Sequence, residues 1–299
     1  MTIDTAIVPV AGLGTRLLPI TRAVPKELLP LGGKPTLQYV IEELWDAGVR
    51  RTILVTSPEK SRIADGFQPA PELEQRLLAG GKPELAQQLW SHSPAAAMQL
   101  ETVIQTEQHG LGHAVAVAES VAGEQPVVVS LGDCVIETAN NSNVIQRMVQ
   151  AFNEHQADIV ITFEQVPPEK VSRFGIAKPR TDGAVFELED LIEKPSAEEA
   201  PSNLAVAARY VFSAEIFKAL RETPRGKGNE IQLTDAIRQM IQSGAKAIGI
   251  QLKPEERRFD VGNLHSYTES FIHFALADPR LRQLVIEAVQ ETGVSRETH

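Results

Sequence analysis

Short, β-branched apolar runs alternate with longer amphipathic segments along this chain, and that alternation restricts its fold more than any other feature. Residues 5–10 read as a buried strand, and 51–56, 100–105 and 126–131 repeat the pattern. Between them, residues 36–47 have helical spacing and stop at Gly48, a residue suited to a helix C-terminus. A second helix is predicted over about 112–121. Continuous apolar strands separated by helices imply an α/β fold, with a parallel sheet covered on both faces. The pattern changes after about residue 160. Residues 159–164, 175–179, 184–192 and 205–212 read as strands joined by turns, a β-rich region. Helical periodicity returns over 214–221, 231–242 and 263–291. The polar stretch 58–97, with Pro69-Ala70-Pro71 and Gly80-Gly81, reads as a helical insertion. The expected organisation is one catalytic domain over 1–277, with the β-rich part at 160–212, and a C-terminal helical tail at 278–299.

The length of 299 residues suits one α/β core with insertions, and 42% hydrophobic content suffices for it. A net charge of −10 argues against a nucleic-acid partner, which requires a basic footprint. It still permits a small anionic ligand, because a local cluster of cations dominates the field inside one cleft. The single cysteine, Cys134, leaves no intrachain disulfide and no cysteine-based zinc site. It suits a cytoplasmic location. No apolar N-terminal segment with a basic flank is present, so no signal peptide is expected, and the apolar runs are too short for a membrane span.

The stretch Gly12-Leu13-Gly14-Thr15-Arg16 directly follows the first strand. Ligands of open α/β sheets bind outside the carboxyl ends of the strands. Three readings compete. A dinucleotide fingerprint needs a third glycine where Leu17 stands, and the phosphate loop of NTPases has no match in the chain. A tight turn without a ligand is the third. Arg16, Arg22 and Lys26 favour a phosphate site, since arginine offers a fixed fork of donors and lysine a compact charge. Pro19, Pro25, Pro30 and Pro35 stiffen the segment against regular helix.

Together with Pro25-Lys26-Glu27-Leu28-Leu29-Pro30, this stretch resembles the signature of the sugar-1-phosphate nucleotidylyltransferases, in the branch of the bacterial UTP–glucose-1-phosphate uridylyltransferases. Further similarity lies in Gly110-Leu111-Gly112-His113-Ala114-Val115, Glu193-Lys194-Pro195, Ser202-Asn203-Leu204-Ala205, Arg209-Tyr210-Val211 and Glu230-Ile231-Gln232-Leu233-Thr234-Asp235-Ala236-Ile237. It spans residues 4–275. The resemblance implies a Rossmann-like nucleotidyltransferase core with a mixed, mostly parallel sheet, a small β-rich sugar-binding region and C-terminal helices. It also implies a homodimer or homotetramer that uses Mg²⁺ to transfer the uridylyl group of UTP to glucose 1-phosphate, giving UDP-glucose and pyrophosphate.

Such a reaction needs positioning and neutralisation of crowded negative charge rather than a nucleophile–base pair. The resemblance assigns Arg16 to the triphosphate and Lys26 to the α-phosphate. It assigns Ala11, Gly12, Gly14, Thr15, Glu27, Gln105 and Gly110 to the nucleotide. Glu193 and Lys194 are assigned to the hexose and its phosphate, with Gly175 and Asn203 beside them. Asp133 and Asp260 are the expected Mg²⁺ ligands, oxygen donors suited to a hard cation. Gly132 stands where the family often has proline. His113, Gln232 and Asp235 read as structural. Two alternatives remain: thymidylyl transfer to glucose 1-phosphate, and a non-catalytic regulatory paralogue.

Overall fold

The computed structural model describes residues 2–138 and 142–291. Its strands are β1 (Thr5–Pro9), β2 (Pro30–Leu31), β3 (Lys34–Pro35), β4 (Arg51–Thr56), β5 (Gln99–Ile104), β6 (Val127–Ser130), β7 (Cys134–Glu137), β8 (Ile159–Gln165), β9 (Gly175–Pro179), β10 (Val185–Glu193), β11 (Leu204–Phe212), β12 (Ala247–Gln251) and β13 (Arg257–Asp260). The helices are α1 (Thr36–Asp46), α2 (Pro71–Ala79), α3 (Pro83–Ala86), α4 (Gly110–Val117), α5 (Glu119–Ala122), α6 (Val144–His155), α7 (Glu215–Glu222), α8 (Leu233–Gln242), α9 (Leu264–Ala277) and α10 (Arg282–Glu291).

A nine-stranded sheet runs in the order β5-β4-β1-β6-β11-β8-β12-β10-β9. It is parallel from β5 to β6 and between β8 and β12. It is antiparallel wherever β10 or β11 pairs with its other neighbours. The antiparallel share is larger than the apolar runs alone suggest. A strand buried on both faces carries the same residues in either direction, so its polarity follows the connection rather than the composition. The β-rich stretch after residue 160 joins this same sheet. Within it, β8 and β11 lie at the centre, and β9 and β10 extend the edge.

Alternate residues of each strand enter opposite cores, as the two-residue strand period dictates. Ile7, Ile53, Val127 and Val129 pack with Val115 of α4, Phe217 of α7 and Ile237 of α8. Val8, Leu54 and Val128 pack with Val40 and Ile41 of α1 and Met148 of α6. The insertion after β4 is made of short 3-10 turns and the helices α2 and α3, and it anchors through Ile63, Phe67 and Trp90 in the second core. Phe67 meets Trp90 edge to face at 5.2 Å.

Three helices differ from the spacing. The segment 263–291 divides into α9 and α10 because Asp278 adopts an extended conformation before Pro279, as a pre-proline residue does. The helix expected from residue 231 begins at Leu233, because the backbone of Ile231 is bonded elsewhere. The helix expected over 112–121 starts at Gly110 and divides at Ala118. The β7–β13 ribbon, the β2–β3 pair and β12 have no counterpart among the expected strands. Residues 292–299 of the expected tail lie outside the described residues.

Candidate active site

Beyond the carboxyl ends of β1 and β6 lie two cavities, of about 510 Å³ and about 730 Å³. Arg16, Leu111, Leu131, Asp133 and Glu230 line both, so the two open onto one another.

Ala11, Gly12, Gly14, Thr15, Glu27, Gln105 and Gly110, with Arg16 and Lys26, all line the smaller cavity. Gly14 has φ 66°, and a Cβ there would sit 2.9 Å from Thr21 Cγ2. The Thr21 hydroxyl donates to the Gly14 carbonyl at 2.8 Å, which fixes the turn. A Cβ on Gly12 would point at Lys26 Nζ, 3.6 Å away. Gly110 has φ 92°, and a Cβ there would meet Glu230 Cβ at 2.7 Å.

The two family-like runs at 110–115 and 230–237 meet directly. Ile231 N donates to the His109 carbonyl at 2.7 Å, and Gly112 N donates to the Ile231 carbonyl at 2.9 Å. Gln105 is buried. Its Nε2 lies 2.9 Å from His113 Nδ1 and 3.3 Å from the Gly110 carbonyl. Burial and the neighbouring His109 lower the His113 pKa, so the ring is neutral near pH 7 and suited to orient the Gln105 amide.

At the junction, Lys26 Nζ donates to Asp133 Oδ2 at 2.5 Å. Burial pushes the Asp133 carboxyl up, but the Lys26 charge and hydrogen bond, with Arg16 farther off, overcome it and hold it below its ordinary range. Burial likewise depresses the Lys26 ammonium, and Asp133 and Glu27 reverse that to a net rise. Both groups are therefore charged at neutral pH.

The larger cavity takes Gly175, Glu193, Lys194 and Asp260 into its wall. Thr234 Oγ1 donates to Glu193 Oε2 at 2.7 Å, and Lys194 Nζ holds Glu193 Oε1 at 2.9 Å. Lys194 has φ 46°, an uncommon conformation for a residue with a side chain. A Cβ on Gly175 would lie 3.3 Å from Val206 Cγ2 and 3.5 Å from Glu193 Oε2. Asn203 is the exception among the expected site residues. It is exposed at the turn before β11, lines neither cavity, and its carbonyl accepts from Val166 N at 3.0 Å.

Asp260 pairs with Cys134 in the β7–β13 ribbon, which brings it to the same end as Asp133. Its carboxylate accepts from Gly262 N and Ser266 Oγ, each at 2.9 Å, and from Arg258 Nη1 at 3.2 Å. No group of three His, Cys, Asp or Glu side chains among the described residues could hold a metal by itself. Two carboxylates facing one cavity, Asp133 and Asp260, nevertheless fit Mg²⁺, which takes one or two carboxylates and completes its shell with phosphate oxygens and water.

Several site residues carry no signal in spacing. Arg258 and Arg173 line the larger cavity, Gln108 donates to the Ala11 carbonyl at 3.0 Å, and Glu230 stands at the junction. Arg209 is fully buried on β11. Its Nη2 holds Glu43 Oε2 at 2.6 Å and the Cys134 carbonyl at 2.9 Å.

A glycine-rich loop after the first strand, a lysine–aspartate pair and a second compartment with its own cation are together what a nucleotidyl-transfer enzyme needs. The model of the family described as nucleotidyl transferase matches residues 5–275. A Bacillus subtilis (strain 168) protein named UTP–glucose-1-phosphate uridylyltransferase is 40% identical over 284 residues, 94% of each chain. The UTP-bound UGPase from Acinetobacter baumannii superposes with a TM-score of 0.88 at 34% identity, covering 97% of this chain and 99% of that one. A UDP-glucose pyrophosphorylase complexed with UDP-glucose superposes at 0.81 with 33% identity, covering 93% of this chain and 100% of that one. The chain belongs to the nucleotidyl transferase family, and within it to the UTP–glucose-1-phosphate uridylyltransferases. No helix among the described residues is long and apolar enough to cross a membrane.

Proposed function

We propose that the protein transfers the uridylyl group of UTP to glucose 1-phosphate, giving UDP-glucose and pyrophosphate, with Mg²⁺ as cofactor and as a homodimer or homotetramer. The observation that carries this reading is the opening of two cavities onto one another at Arg16 and the Lys26–Asp133 pair.

In this reading UTP occupies the smaller cavity and the sugar phosphate the larger. An oxygen of the sugar phosphate forms a bond to the α-phosphorus of UTP, and the bond from that phosphorus to the bridging oxygen of the β-phosphate breaks. The attacking oxygen is already anionic, so no strong base is required. Lys26 carries charge at the α-phosphate. Arg16 neutralises the departing pyrophosphate. Glu193 accepts from sugar hydroxyls and Lys194 meets the sugar phosphate. The Gln105 amide, oriented by His113, offers a donor and an acceptor to the base. Asp133 and Asp260 would hold Mg²⁺, which supplies neutralisation of the phosphate oxygens when bound.

The test is pyrophosphate release by the purified protein with Mg²⁺, crossing UTP and dTTP with glucose 1-phosphate and galactose 1-phosphate. Turnover restricted to UTP and glucose 1-phosphate supports the reading. Preference for dTTP would convert it to thymidylyl transfer. Folded protein that binds UTP without turnover would be a regulatory paralogue.

A further inference from the structure

Lys60 ends the short turn Pro58–Lys60 after β4, at the start of the insertion. Its side chain is only 10% exposed. The ammonium donates to the Val10 carbonyl at 3.1 Å, to the Gly12 carbonyl at 2.5 Å, and to Glu27 Oε2 at 2.9 Å. Its three protons thus meet two carbonyls of the glycine loop and a carboxylate on the turn that carries Lys26. Glu27 is itself buried.

This arrangement has a consequence for the loop. In a planar trans peptide the C=O and the following N–H point in opposite directions. Two alternate carbonyls, of Val10 and Gly12, are turned onto Lys60. The amides of Ala11 and Leu13 are therefore turned away from it. Ala11, Gly12 and Leu13 line the smaller cavity, whereas Lys60 stands behind them and is not part of its wall. Through Glu27, the same ammonium ties the loop to the segment bearing Lys26.

We propose that Lys60 is a positioning residue for the nucleotide. It sets the backbone orientation of the glycine loop and its distance from Lys26, and thereby determines affinity for UTP without touching it. The proposal rests on the reading of the smaller cavity as the nucleotide site.

The experiment compares Lys60→Met, Lys60→Gln and Lys60→Arg with the wild type, by steady-state kinetics with each substrate varied, by calorimetric titration of UTP, and by thermal melting. A charged hydrogen bond to the loop is lost in Lys60→Met, so the KM and Kd for UTP are expected to rise about tenfold or more. The KM for glucose 1-phosphate is expected to stay within about twofold, because the larger cavity is untouched. Lys60→Arg keeps the charge and is expected to recover part of the UTP affinity. A wild-type UTP affinity in Lys60→Met would overturn the proposal. So would equal losses for both substrates, which mark a general loss of structure. Should Lys60→Met not fold, Lys60→Gln, which keeps one donor, is read by the same criteria. Absence of UTP turnover and binding in the wild type would instead remove the functional reading itself.

Discussion

Lys26 and Asp133 are 107 positions apart in the chain, and their charged atoms lie 2.5 Å apart at the junction of the two cavities. Both line the smaller cavity, and Asp133 also faces the larger. In the proposed reaction the pair stands where a phosphate held on one side meets a nucleophile held on the other.

Lys26→Ala is expected to reduce kcat by about 10²- to 10³-fold, the scale of losing one preorganised charge contact to a transition state. The larger share should appear in kcat rather than in the KM for UTP. Steady-state kinetics on protein with an unchanged circular dichroism spectrum checks it. Near-normal kcat would remove Lys26 from the chemistry.

Lys194→Ala should act on the other substrate. Its side chain is 43% exposed and its ammonium is paired with Glu193, so removing it leaves the fold intact and takes away a cation of the larger cavity. The KM for glucose 1-phosphate is expected to rise about tenfold, with the KM for UTP within about twofold. A rise confined to UTP would reverse the assignment of the two cavities.

The pair at the junction also links stability to pH. Asp133 titrates below its ordinary 3.8 in the folded protein, so the unfolded chain takes up that proton first on acidification. The contribution is complete above the ordinary value and drains as pH falls through the folded one. Lys26 titrates above its ordinary 10.5, so its contribution is complete below that value and drains as pH rises through the folded one. Urea midpoints measured against pH should show the acid arm of this loss flattened in Asp133→Asn. Parallel acid arms in variant and wild type would exclude the link.

Gly112 probes the contact between the two most distinctive stretches. A Cβ there would lie 2.6 Å from the Ile231 carbonyl and 2.9 Å from Ile231 Cγ2. One of those atoms is backbone and cannot swing aside. Gly112→Ala is expected to destabilise the protein by about 1–3 kcal/mol through overpacking, seen as a lower denaturation midpoint. A wild-type midpoint would show that the loop moves freely against the segment at 230–237.

The apolar runs and glycine stops made most strands and helices legible before any coordinates, because burial and backbone freedom leave a local mark. The ends shifted where a tertiary bond competed, as at Ile231, whose backbone pairs with His109 and Gly112 instead of starting a helix. The ribbon of β7 and β13 leaves no local mark, because four residues such as Arg257–Asp260, two of them arginine, carry no apolar run. Asn203 belongs to a family-like stretch, yet it turns out to solvent. Its neighbour Ser202 does the structural work there, donating to the Ala177 carbonyl at 2.6 Å.

By itself the sequence determined the α/β architecture and the glycine loop with its cations, and motif resemblance supplied many of the residues that line the two cavities, though not Arg173, Arg258 or Gln108. Those properties are written in local period and residue type. Only the tertiary structure decided the strand polarity of the second half of the sheet, the meeting of Lys26 with Asp133, and the placing of Lys60 behind the loop. These depend on contacts between segments far apart in the chain. A side chain's partner across such a distance is set by how the layers pack, and no spacing along the sequence encodes it.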